Sequence, residues 1–214
     1  MLAAGGVFFT GGSEEISNAQ LGHGGARTEG DHSGNIDVSA NQNIEFRGGS
    51  SFETYAHLGH GGAFASTNGD GDIDVFSFSD LIFAAGLGQG SHVQLGHGGF
   101  MSVGDQTGNA TISSADNVTF EGNGIFSYAQ FGHGGTFGQG SNDGDLTVSI
   151  ASNLTFLGGV GDFSNAQFGH GGLVASGDHS GDIRMAILND LSVSGGSGTG
   201  SYSQIGHGGP TTGA

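Results

Sequence analysis

The chain contains no cysteine, no tryptophan and no lysine, and it has one proline. Without thiols there is no disulfide frame and no thiolate chemistry, a composition compatible with export. Arg27, Arg47 and Arg184 are the only basic residues besides histidine, against 20 acidic ones, so the formal net charge is -17. A surface of that sign repels nucleic acid and anionic membranes and keeps a long particle soluble. No run approaches the 18 apolar residues of a membrane-spanning helix, so no membrane insertion is expected. The first residues lack the basic region of a signal peptide, so an exported chain would carry its targeting segment elsewhere. One proline with 48 glycines lacking a three-residue period excludes collagen. The glycines also exclude an ordinary helical protein, since each costs ~1 kcal/mol in a helix relative to alanine.

The glycines instead belong to a repeat. Gln20-Leu21-Gly22-His23-Gly24-Gly25 returns around His60, His97, His133, His170 and His207, at spacings of 36 or 37 residues. A period held that closely marks equivalent places in stacked units. Each unit has an alternating segment (Ile36-Asp37-Val38, Ile73-Asp74-Val75, Leu146-Thr147-Val148) and a second apolar one (Ile44-Glu45-Phe46, Leu154-Thr155-Phe156). The motif strand follows a glycine turn, and a variable Gly/Asp/Ser/Asn segment such as Ser66–Asp70 closes the unit. Period-two alternation without helical periodicity predicts strands. The expected fold is an all-β parallel β-solenoid of six repeats, one domain over residues 1–214 with a truncated first unit.

Asn43, Asp80, Asn117, Asn153 and Asp190 recur at one offset and are expected to stack at a corner. A repeat of 37 residues favours two coils of about 18 each, with Ile36, Val38, Ile44 and Phe46 matched by Ala56, Leu58, Phe64 and Ser66. The histidines would then lie about 9.6 Å apart, twice the strand spacing. One coil per repeat would bring them into stacking range.

The strings Gly144-Asp145-Leu146-Thr147-Val148, Asn153-Leu154-Thr155-Phe156-Leu157-Gly158-Gly159 and Ala166-Gln167-Phe168-Gly169-His170-Gly171-Gly172 resemble repeats of filamentous-haemagglutinin-like bacterial adhesins. The resemblance spans nearly the whole chain and implies a right-handed parallel β-helix at the cell surface, with an adhesive or structural role. No binding residue carries over from it.

Imidazole is a common ligand for zinc, copper and nickel, so His23, His60, His97, His133, His170 and His207 are metal candidates. The motif brings no second ligand at fixed spacing, which favours corner imidazoles bonded to backbone carbonyls. Asp31, Asp70, Asp72, Asp105, Asp143, Asp145, Asp178 and Asp182 offer oxygen to calcium, but they also suit tight turns. Weak Ca2+ binding at these turns is the only cofactor expectation. Asp31-His32-Ser33 and Asp178-His179-Ser180 hold the residue types of a hydrolase triad, but as sequence neighbours they read as turn variants, and no enzyme is expected. Asn109, Asn117 and Asn153 begin glycosylation sequons. The mixed outward row Asp37, Asp74, Thr111, Thr147 and Arg184 does not form the threonine array of an ice-binding face.

The expected function is an extracellular shaft of a surface fibre or adhesin. The alternative is a self-assembling filament subunit. The 7 residues after His207 and the 23 ending at His23 leave about seven missing from a full repeat, so end-to-end association or covalent continuation of the shaft is expected.

Overall fold

The computed structural model describes residues 1–210 and is a parallel β-solenoid with one coil per repeat. Each coil contributes one strand to each of three six-stranded sheets. The first sheet stacks Leu2–Ala3, Ile36–Ala40, Ile73–Ser77, Ala110–Ser114, Leu146–Ile150 and Ile183–Ile187. The second stacks Val7–Thr10, Ile44–Arg47, Leu81–Ala84, Val118–Glu121, Leu154–Leu157 and Leu191–Ser194. The third holds the motif strands Asn18–Leu21, Tyr55–Leu58, His92–Leu95, Tyr128–Phe131, Asn165–Phe168 and Tyr202–Ile205.

The variable segment, to which the sequence pattern assigned no strand, carries a fourth sheet of two-residue strands, from His32–Ser33 through Gly69–Asp70 to His179–Ser180. Two residues of period-two pattern are too short to read from sequence. Parallel pairing with the same segment above and below is what makes them strands.

The two-coil expectation is overturned. Ile44 pairs with Leu81, and Tyr55 with His92, each 37 residues on, so a whole repeat makes one turn. The apolar match at Phe64 and Ser66 misled because alternation stops there. Phe64 sits at φ 59° in a tight turn closed by Ala65 N–H donating to Gly62 O, outside the main core.

That core lies between the first three sheets and is built of columns, each made of one repeat position. Phe9, Phe46, Phe83, Phe120 and Phe156 stack with centroids 4.5–5.2 Å apart and nearly parallel rings. Leu58, Leu95, Phe131 and Phe168 form the facing column from the third sheet. Such aromatic pairs add ~0.5–1.5 kcal/mol each beyond the area they bury. The single 36-residue interval falls at the corner around Asn123: Leu81 pairs with Val118 at 37, but His92 pairs with Tyr128 at 36. Corners absorb a deletion because a slip in a strand would turn every core residue outward.

Strands of the third sheet are buried on both faces in the interior coils. One face serves the main core. The other looks into a second compartment under the lobe formed by residues 60–70, where Tyr55, Ala63, Phe100 and Tyr128 cluster.

Two columns of turn residues close this compartment. Arg27, Phe64, Met101, Phe137 and Val174 form one, and Ile16, Glu53, Phe126 and Phe163, with Gly90 and Gly200, form the other, all at φ between 53° and 70°. A bulky residue in that region is strained by ~1–3 kcal/mol. Ring contacts across the seam offset the strain, among them Phe64–Phe100 at 5.9 Å and Phe126–Phe137 at 5.5 Å.

Candidate functional site: the histidine column

The motif glycines exist so that the coils can approach. Gly96 has φ 144°, and a Cβ there would lie 2.0 Å from Gly132 O of the next coil. With the backbones this close, the intervening histidines meet face to face. Ring centroids along His23, His60, His97, His133, His170 and His207 are 4.7–5.0 Å apart, not the 9.6 Å of a two-coil repeat.

Both ring nitrogens of the interior histidines are occupied by backbone. His97 N–H donates to His133 Nδ1 at 2.8 Å, and His133 N–H to His170 Nδ1 at 2.9 Å. On the opposite edge His133 Nε2 donates to Gly108 O at 2.7 Å, with His60, His97 and His170 bonding Gly34, Gly71 and Gly144 in the same way. An Nδ1 that accepts and an Nε2 that donates define one neutral tautomer.

Each histidine therefore pins the end of a motif strand to the glycine opening the first-sheet strand of its own coil. It closes the three-sheet triangle and leaves the lobe as an excursion. A metal would have to displace a backbone bond at every interior position. Among the described residues no three His, Asp or Glu are grouped to hold a metal ion.

Burial is the leading cause that holds the imidazoles neutral. It pushes His97 down to about 3 and His170 to about 4, and lowers His60. His133 is held well below the ordinary value by burial and then by the imidazoles above and below it.

Glutamines flank the column. Gln130 Nε2 donates to His133 O at 3.1 Å and reaches into the next coil to Gly169 O at 3.0 Å and Gly171 O at 2.8 Å. Gln20, Gln94 and Gln167 repeat the arrangement. His57 replaces the glutamine in the second coil and lies 2.6 Å from Gly96 O. In the neighbouring column His92 is stacked between Tyr55 and Tyr128, at 4.8 and 4.6 Å. The recurring glutamine was legible in the motif, but its three-carbonyl reach was not, because it depends on where the next coil sits.

The turn acids form ladders of their own. Asp72 N–H donates to Asn35 Oδ1, Asn109 N–H to Asp72 Oδ1, Asp145 N–H to Asn109 Oδ1 and Asp182 N–H to Asp145 Oδ1, at 2.8–3.0 Å. Asp31, Asn68 and Asp105 likewise accept the N–H of Asn68, Asp105 and Ser141. Each of these carboxylates takes a backbone N–H from the next coil, the role that also suits Asn.

The expected corner stack is present: Asn117 Nδ2 donates to Asp80 Oδ1 at 3.1 Å, and Asn153 Nδ2 to Asn117 Oδ1 at 2.9 Å. Those amides are engaged, which leaves the sequons at Asn117 and Asn153 tied into the ladder. Ser180 Oγ donates to Asp143 of the preceding coil, so Asp178, His179 and Ser180 form no relay.

One buried group was not singled out from the sequence. Glu53 sits in the seam with no solvent exposure, and neither carboxyl oxygen has a partner. It fills the space left by Gly90, where a Cβ would meet its Oε1 at 2.3 Å. Burial pushes its pKa up to about 8.

A carboxyl whose pKa rises on folding contributes stability that is fully present below about pH 4.5 and is lost as pH climbs to about 8. Glu53→Gln should therefore match the parent near pH 4.5 and exceed it by roughly 4 kcal/mol near pH 8, since each unit is worth ~1.4 kcal/mol. Thermal melts across that range check this. Parallel melting curves for parent and variant would show that Glu53 stays ionised and solvated.

Comparison of the chain with protein-family models, with curated proteins and with solved structures finds no match to any of them.

Proposed function

We propose that this chain is a rigid, non-catalytic shaft of an extracellular surface fibre or adhesin. The observation that carries the reading is the use of the chain's reactive side chains. Interior histidines, motif glutamines and many turn acids are consumed in bonds to backbone or to the next coil. The same bonds recur in coil after coil. A scaffold of this kind resists bending because successive coils are bonded along three sheets throughout and along the fourth from the first coil to the fifth.

The resemblance to filamentous-haemagglutinin-like repeats supports a surface location, as do the acidic charge and the lack of cysteine. In this reading any calcium bound at the acidic turns is weakly held, because the ladder already takes one oxygen from each of several carboxylates.

Antibody labelling of intact producing cells, before and after protease treatment, tests the location. Labelling without permeabilisation that protease removes is expected. Labelling only after permeabilisation would overturn the surface reading.

A further inference from the structure

The outer face of the first sheet breaks its own pattern in its interior coils. Phe76 and Phe78 stand out from it, 36 % and 61 % exposed, packed edge to face with centroids 4.7 Å apart. The neighbouring coils place Ser39 and Ser113 in register with Phe76, and Ala115 stands one repeat on from Phe78. Serine and alanine hold these positions in the same sheet, so the fold does not need the two rings.

The adjacent outward column is broken at the same place. Asp37 and Asp74 are exposed and pair in register on neighbouring strands, where the later coils carry Thr111, Thr147 and Arg184. Like charges facing each other across strands are destabilising. Ion pairs among the described residues join Arg47 to Glu45 and Arg184 to Asp145 and Asp182, so neither Asp37 nor Asp74 has one. The Met1 amine meets the backbone carbonyl of Asp37.

This chain also shows how two stacked carboxylates are satisfied. The Arg184 guanidinium donates to both Asp145 and Asp182, which lie on successive coils beside the same sheet. Phe76 is the wall between two clefts. One is bounded by Asp37, Asp74 and Thr111. The other has a floor of Ser113, Ala115, Ser149 and Ala151, with no charged residue in its lining.

We propose that this face docks a segment of a partner protein that carries an arginine close to an apolar side chain. The guanidinium bridges Asp37 and Asp74 and rests against the Phe76 ring, whose face attracts a cation. The apolar side chain lies on the small-residue floor beyond that ring. Arginine fits better than lysine because its planar fork spans two carboxylates, as Arg184 does. Charge complementarity selects the occupant: a net charge of -17 draws in a basic segment and opposes a second copy of this chain. The inference does not depend on the surface location proposed above.

Nitrogen-15 chemical-shift titration with short acetylated and amidated peptides provides the test. Each peptide holds one arginine and one leucine, separated by one to three glycines. Saturable shifts confined to the first sheet around Asp37, Asp74, Phe76 and Ser113 are expected for at least one spacing. Exchanging the arginine for citrulline, which keeps the shape and removes the charge, should weaken binding about tenfold, as should exchanging the leucine for glycine. Asp74→Thr and Phe76→Ser install residues that neighbouring coils carry in register, so both should keep the parent's circular dichroism. Each should weaken binding about tenfold.

If a variant fails to fold, the citrulline comparison on the parent still decides. Shifts spread over the whole acidic surface, equal binding of the citrulline peptide, or no saturation at concentrations on the order of 1 mM would each overturn the proposal. Saturable shifts at Phe76 with maltohexaose but not with the peptides would replace the peptide with a saccharide. A dimer in sedimentation velocity that Phe76→Ser abolishes would assign the face to a second copy instead.

Discussion

Acidification should unravel this solenoid from its buried histidines outward, with loss beginning below about pH 6.5 and complete near pH 3. A histidine whose pKa falls on folding contributes stability that is fully present above its unfolded value and is lost as pH drops toward the folded one. His57 and His97 are lowered to about 3 and His92 and His170 to about 4, with burial as the leading cause in each. Each unit of depression is worth ~1.4 kcal/mol, so together these groups can exceed the ~5–15 kcal/mol that holds an ordinary domain.

The structural consequence is specific. A proton on Nδ1 removes the acceptor for the N–H of the preceding histidine and places cations about 4.8 Å apart in a buried stack. Relief of acidic self-repulsion at low pH acts in the opposite direction, so the column must overcome it. Circular dichroism against pH would follow the transition. Nitrogen-15 spectra should show Nδ1 unprotonated and Nε2 protonated until the sheet signal is lost. A melting temperature that holds constant down to pH 3 would sink the idea.

His133→Ala should be the most damaging single replacement in the column at neutral pH, costing roughly 5–11 kcal/mol. His133 stacks on both neighbours at 4.8 Å, accepts from His97 N–H and donates to Gly108 O. Truncation leaves two backbone groups without partners, at ~1–3 kcal/mol each. It also leaves a cavity of ring size, comparable to the ~3–5 kcal/mol of aromatic-to-alanine changes. The surrounding coils cannot collapse into the gap, because the strands on either side are held in register by four sheets.

Thermal unfolding and elemental analysis of parent and variant together decide between the two readings of the column. A large fall in melting temperature with unchanged metal content is expected. Stoichiometric zinc, copper or nickel that survives dialysis in the parent and vanishes in the variant would replace the structural account with a metal one.

Much of this architecture is written in local pattern. The 37-residue period, the alternation at Ile36–Ala40 and the apolar pairs at Ile44 and Phe46 specify three strands and their inward faces, because strand periodicity is a property of consecutive residues. The corner stack of Asp80, Asn117 and Asn153 was legible for the same reason, since equal offsets in a repeat become neighbours along an axis.

The number of coils per repeat was not legible. Phe64 and Ser66 carry suitable residue types at a plausible offset, and only the turn at Gly62–Ala65 shows that the chain has left the core there. That turn holds a phenylalanine at positive φ, which no local rule anticipates. Its strain is tolerable only because rings from other coils pack against it. The two-sided burial of the motif strands, the neutral tautomer of the histidines and the unpartnered Glu53 are likewise set by residues about one coil away along the axis. Composition and period determined that the chain stacks on itself. Which side chains meet, and which are left without partners, was decided by the axial packing.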